Sequence, residues 1–302
     1  MKKVLLTGAN GFVGRTTIKH LLQREYEVHG VFSRDTPADP SGIITHRADL
    51  LDRAAAERLV RSIGPSHLLH FAWYVEHGKF WNAPGNNEWV KASEKLFETF
   101  VNAGGKRIVA AGTCAEYDWK SGDGVFTETG SLTEPATLYG KAKHDLHKSL
   151  EKIVRQTSAS YAWGRLFFLF GEHEHPVRFV PSVIQSLLNN ENAKCSSGEQ
   201  IRDLMYVDDA GAAFAALLDS DVGGAVNIGT GTPVKLGEVA KMIAGIIGRP
   251  EMLDLGAIPT PDGEPRKLVA DITRLLDDVK FKPQSDLRSA LAMTIDWWRN
   301  QK

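Results

Sequence analysis

The sequence predicts an α/β fold: a doubly wound parallel sheet with a smaller C-terminal lobe. Two observations carry that reading. Strand-like and helix-like segments alternate from the start of the chain to about residue 170, which is the rhythm of βαβ units. The first strand also runs directly into a glycine-rich turn that opens a helix. With 302 residues, 42% of them hydrophobic, the chain is long enough for a sizeable core and two lobes.

The elements follow in order. Residues 3–6 read as a buried strand and 12–24 as a helix. Strands are expected at 27–32 and 43–46, a helix at 54–62, a strand at 67–71 and a helix at 89–103. A strand at 107–111, a long helix at 138–156 and a strand at 160–170 complete the alternation. Beyond residue 171 the rhythm loosens into helices at 180–188, 208–218, 236–247 and 285–298, with residues 259–265 as the most flexible loop. The expected domains are 1–170, with parts of 205–230 returning to it, and a lobe over 171–302. Sheets of this kind bind ligands beyond the carboxyl ends of the strands, where the strand order reverses.

Composition excludes several classes. The 36 basic and 37 acidic residues leave a net charge of −1, so no basic surplus points to nucleic acid or an anionic membrane surface. The two cysteines, Cys114 and Cys195, make no disulfide framework, and a reducing, cytoplasmic setting is expected. The apolar run Val4-Leu5-Leu6 stops at Thr7-Gly8, far short of a secretory segment. No stretch approaches the roughly 20 apolar residues of a membrane span.

The turn after the first strand reads Thr7-Gly8-Ala9-Asn10-Gly11-Phe12-Val13-Gly14. Its glycines permit the tight bend, let backbone N–H groups approach a pyrophosphate, and let helix and strand pack closely. The helix N-terminus adds partial positive charge toward phosphate. This is a Rossmann-type dinucleotide site. The second strand ends Val31-Phe32-Ser33-Arg34. Ser33 stands where an NAD-binding chain carries an acid, and Arg34 suits a 2′-phosphate, which favours NADP(H). The alternative is a one-residue shift that gives Asp35 the acid's role and admits NAD(H).

Tyr139 and Lys143 lie four apart, on one face of a helix. A nearby ammonium favours phenolate and so makes a tyrosine a usable general acid or base. Lys143 is also placed to hold a cofactor ribose.

On these residues the chain resembles an extended short-chain dehydrogenase/reductase, of the kind grouped as NAD-dependent epimerase/dehydratase proteins, along nearly its whole length. Residues 7–14 match the family's TGxxGFxG, with Asn10 and Phe12 inside the motif. Asp49-Leu50 match its adenine-contacting acid and neighbour, and Phe71-Ala72 its short segment under the cofactor. Thr113 matches the catalytic Ser/Thr, and Tyr139 with Lys143 match YxxxK. Arg202-Asp203 through Val207, Asp208 and Asp209 resemble the RDxxxVxD segment of nucleotide-sugar members. Arg266 with Asp271 resembles their late arginine, and residues 279–283 with Trp297 and Trp298 resemble their closing segment. The resemblance implies that Thr113 hydrogen-bonds the substrate oxygen, Tyr139 exchanges its proton and Lys143 lowers the Tyr139 pKa. It implies further that Arg202 and Arg266 clamp a substrate diphosphate.

The chain departs from that pattern in places. Cys114 follows Thr113 where dehydratase members carry an acid, which argues against dehydration; Glu116, three residues on, is an alternative proton donor. Phe168 sits where epimerases place an asparagine, Tyr117-Asp118-Trp119 replaces a tyrosine–glycine, and Trp89 falls near an expected asparagine, with Asn86 and Asn87 close by. The loop over 73–89 carries Trp73, Tyr74, His77, Phe80 and Trp81 and is expected to overhang the site. Its aromatics either stack on a sugar or base or close the loop as a hydrophobic cluster. His173, Glu174 and His175 lie in a loop with no further ligand pair at helical spacing, so no metal is expected.

These features point to an NADPH-dependent ketoreductase acting on a nucleotide-linked keto sugar, such as a 4-keto-6-deoxyhexose. A nucleotide-sugar 4-epimerase with tightly bound NAD is the alternative within the family, and a non-catalytic NADP(H)-sensing protein the alternative outside it. By the same resemblance, the helices at 89–103 and 138–156 pair into a homodimer interface.

Overall fold

The computed structural model describes residues 2–33 and 42–301. The first half runs β1 (Lys2–Thr7), α1 (Phe12–Leu22), β2 (Tyr26–Phe32), β3 (Ile43–Arg47), α2 (Arg53–Ile63), β4 (His67–His70) and α3 (Gly85–Asn102). It continues through β5 (Arg107–Thr113), β6 (Val125–Phe126), α4 (Leu138–Arg155), β7 (Ser160–Leu166) and β8 (Phe168–Phe170). The second half holds α5 (Phe179–Leu188), β9 (Ala193–Cys195), β10 (Ile201–Tyr206), α6 (Val207–Asp219), β11 (Gly224–Ile228) and β12 (Pro233–Lys235). It closes with α7 (Leu236–Ile247), β13 (Leu253–Leu255), β14 (Lys267–Ala270), α8 (Thr273–Asp277) and α9 (Leu287–Arg299).

Seven strands form one parallel sheet in the order β3-β2-β1-β4-β5-β7-β11. Successive side chains of a buried strand serve opposite faces. Val4 and Leu6 therefore join Val109 and Phe214 under α1 and α6, while Leu5 joins Ile108, Phe97 and Leu146 under α2, α3 and α4. The chain leaves β1 toward one edge and returns through β4 toward the other, so the order reverses beside β1. The crevice beyond that reversal holds the site.

The expected strand at 160–170 breaks at Phe167. β7 keeps to the large sheet, whereas β8 turns away and pairs with β10, Phe168 opposite Leu204. The helix expected at 89–103 starts earlier, at Gly85. Its first turn is tied down by buried Asn86, whose Nδ2 donates to the carbonyls of Phe80 and Ala83 at 2.7 and 2.9 Å.

The second lobe packs α5, α7 and α9 around Phe170, Ile184, Ile243 and Leu291 and is interleaved with the first. β6 pairs with β14, α6 packs on α1, and β11 adds to the edge beside β7. Buried polar residues hold these joints. Arg107 of β5 donates to the Leu217 and Leu218 carbonyls at the end of α6, at 2.7 and 2.9 Å, satisfying groups a helix terminus leaves unpaired. Asp203 accepts from the backbone of Thr230, Gly231 and Ala270, and Asp209 from that of Gln284 and Ser285.

Candidate active site

The glycine turn shapes one end of a cavity of about 540 Å³. Gly8 has φ +68°, and a Cβ there would stand 2.9 Å from the Ala72 nitrogen. Gly11 is the N-cap of α1 and carries no side-chain cap, so the first N–H groups of that helix remain open. Gly8, Asn10, Gly11, Phe12 and Gly14 line the cavity, as do Ser33, Asp49, Leu50, Phe71 and Ala72. Asp49 accepts from Leu51 N through Oδ1 at 2.9 Å, and Oδ2 has no partner among the described residues. An open helix N-terminus, a bare glycine turn and an available carboxylate oxygen are the donor and acceptor set a dinucleotide uses. Arg34 and Asp35, on which the cofactor choice was expected to turn, lie outside the described residues.

Thr113, Tyr139 and Lys143 line the same cavity. Thr113 ends β5, and Tyr139 and Lys143 are one turn apart at the start of α4. Gly140 allows this approach: a Cβ there would sit 2.3 Å from the Ala115 carbonyl oxygen. Thr113 Oγ1 accepts from Ala115 N at 3.2 Å, and its side chain is close enough to Tyr139 to act on the phenol's pKa. Burial drives the phenol above its ordinary pKa; the Thr113 side chain and the charge of Arg178 pull it back down.

Lys143 Nζ donates to the Ala111 carbonyl at 2.9 Å and lies 3.8 Å from the centre of the Trp73 ring. Burial lowers its pKa to about 7, with the charge of Glu116 working the other way. Trp73 is itself held by Nε1 donating to Asn86 Oδ1 at 2.9 Å.

Glu116 does not reach the cavity. Fully buried behind β5, it accepts from Thr113 N and Trp163 Nε1 at 2.8 Å and pairs with Arg165 at 3.0 Å. It fixes the backbone of Thr113 and is unavailable as the alternative proton donor. Cys114 does line the cavity, but burial pushes its thiol up to about 12, so it stays protonated.

The two predicted substrate arginines also lie elsewhere. Arg202 is buried, donates to the carbonyls of Ile201 and Pro265 at 2.9 Å, pairs with Glu264, and stacks against Phe168. Arg266 is exposed, and neither arginine lines the cavity. Phe168, against whose ring Arg202 lies, does line the cavity.

The loop over 73–84 does border the cavity, and its aromatics pack as a local cluster. Phe80 and Trp81 meet Tyr139 edge-on, with ring centres 5.0 and 5.8 Å away, and Trp81 packs on Trp119; all three also line the cavity. His77 stacks on His175 at 4.7 Å, joining this loop to the segment after β8. That segment brings in Glu174 and Arg178, which the sequence reading missed as site residues. From sequence, residues 173–175 suggest only a metal site; the signal for a binding role is Arg178, three residues on and just before α5.

A parallel sheet closed in this way over a tyrosine–lysine pair is the architecture of an extended short-chain dehydrogenase/reductase. The chain belongs to the NAD dependent epimerase/dehydratase family, whose model matches residues 4–229. It is 25% identical to the UDP-glucose 4-epimerase of Rhizobium meliloti, over 99% of this chain and 98% of that one. It is 24% identical to the dTDP-4-dehydro-6-deoxy-D-allose reductase of Streptomyces bikiniensis, over 99% and 97%. Among solved structures, MoeE5 in complex with UDP-glucuronic acid and NAD is similar with a TM-score of 0.85 at 27% identity, covering 100% of both chains.

Proposed function

We propose that this protein is a homodimeric, NADPH-dependent ketoreductase acting on a nucleotide-linked keto sugar of the 4-keto-6-deoxyhexose type. The observation that carries the reading is that Thr113, Tyr139 and Lys143 line the same cavity as the glycine turn. Gly8, Gly11 and Gly14 with Asp49 would hold the dinucleotide, and Lys143 its ribose. The cofactor supplies or accepts a hydride when bound. Thr113 Oγ1 and Tyr139 Oη would then bind the substrate oxygen, and Tyr139 would donate the proton that completes the alcohol.

Two features favour net reduction. The residue after Thr113, where dehydratase members carry an acid, is Cys114, and Glu116 is committed to Arg165, so neither position supplies an acid for elimination. An epimerase must present both faces of a keto sugar to the cofactor, and Phe80, Trp81 and Trp119 crowd the space in which the sugar would turn. The 4-epimerase reading draws on the Rhizobium meliloti relative and on the NAD held by the MoeE5 structure.

NADPH and NADH titrated separately against wild type and Arg34→Ala decide the cofactor. A preference for NADPH that collapses in the variant supports the reductase; NAD⁺ that copurifies and does not exchange makes the epimerase the better reading. Tyr139→Phe is expected to lower turnover of a keto sugar by about a hundredfold or more while cofactor still binds. Equal activity in both proteins would remove Tyr139 from the chemistry, and binding without turnover by wild type over a broad keto-sugar panel would favour a sensor.

A further inference from the structure

The outer end of the cavity, where Glu174 and Arg178 sit, carries an unpaired acceptor. Glu174 is only 5% exposed. Its Oε1 accepts from Arg178 Nε at 3.0 Å, but Oε2 is buried with no hydrogen-bond partner. Folded proteins rarely leave such an atom unsatisfied, and both residues line the cavity. A ligand in the cavity can bring the donor that Oε2 lacks within the protein. Arg178 offers the complement: only Nε is engaged, and its terminal N–H groups have no partner among the described residues.

This end belongs to the same cavity as Thr113 and Tyr139, and His175 beside Glu174 stacks on His77 of the loop that carries Phe80 and Trp81. Phe80 and Trp81, edge-on to the Tyr139 ring, supply apolar walls. Apolar walls with one acceptor and one donor side by side suit a sugar, whose hydroxyls both give and take hydrogen bonds. A metal does not fit: the rings of His77 and His175 lie face to face, 13° from parallel, so their nitrogens do not converge.

We infer that Glu174 and Arg178 select the substrate sugar: a hydroxyl or amino group near the reacting carbon donates to Glu174 Oε2 and a neighbouring oxygen accepts from Arg178. The inference rests on the nucleotide-sugar reading above and narrows it to hexoses that keep a donor at that position. The carboxyl, which burial raises to about 7, can serve a hydroxyl in either protonation state and an ammonium only when ionised.

The test is calorimetric titration of cofactor-loaded wild type, Glu174→Ala and Glu174→Gln with UDP-glucose and its 2-deoxy, 3-deoxy and 2-amino counterparts. Wild type is expected to bind one hydroxyl- or amino-bearing member about tenfold or more tightly than its deoxy counterpart. Glu174→Ala should erase that gap. Glu174→Gln should keep the gap if the donor is a hydroxyl and lose it if the donor is an ammonium. A gap that survives in Glu174→Ala, or an equal loss for both members of a pair with cofactor binding intact, overturns the inference. If no nucleotide hexose binds cofactor-loaded wild type, the proposed function falls first and the inference with it.

Discussion

Lys143 sets the most direct test at the level of single residues. Its pKa falls from 10.5 to about 7 on burial. Between those values the unfolded chain holds a proton that the folded protein does not, so stability rises with pH across that window. The cost of burying the ammonium is fully present below pH 7 and fades toward pH 10.5. Lys143→Met is therefore expected to stabilise the cofactor-free protein by roughly 1–3 kcal/mol at pH 6, with the gain shrinking by pH 10. Thermal melts across that range check it, and a gain independent of pH would show that charge burial is not the cause. Local residue patterns were readable beforehand: the glycine spacing and the Tyr139–Lys143 interval are set within a turn or two of chain. What Glu116, Arg202 and Lys143 touch was not. Their partners, Arg165, Glu264 and Trp73, arrive from distant segments, and only folding decides which charge meets which.

Alternation located the elements well, because a buried parallel strand and an amphipathic helix each leave a short-range signature. It failed where a signature was continuous across a change of partner. Residues 166–170 read Leu-Phe-Phe-Leu-Phe, apolar throughout, yet the chain switches from the large sheet to β10 after Leu166. The start of α3 was hidden for the opposite reason: Gly85, Asn86 and Asn87 are weak helix formers, and Asn86 is held there by bonds to its own preceding loop. The contact between α4 and the turn after Thr113 gives the prediction at this level. Gly140→Ala would press a methyl group into the Ala115 carbonyl, forcing α4 away from β5. A loss of about 1–3 kcal/mol in stability and of about tenfold or more in turnover is expected, read by urea melts and steady-state rates. Normal turnover in this variant would show that the spacing of Thr113 and Tyr139 tolerates such a shift.

For the whole molecule, α3 and α4 pack side by side on one face of the sheet, and the proposed homodimer joins that pair to its copy. Light scattering at micromolar concentration is expected to return twice the chain mass, and a single-chain mass would refute the dimer. No helix among the described residues is long and apolar enough to cross a membrane. The interleaving of the lobes also bears on how the chain comes to exist. β11 completes the large sheet against β7 only after the 57 residues between Leu166 and Gly224 have been made. Until then a strand carrying Ala162 and Trp163, both fully buried in the finished protein, shows an unpaired edge. On the ribosome, the nascent N-terminal half is thus a sheet with an open seam, exposed to mispairing. That seam closes only when the later segment has emerged and β11 has paired with β7.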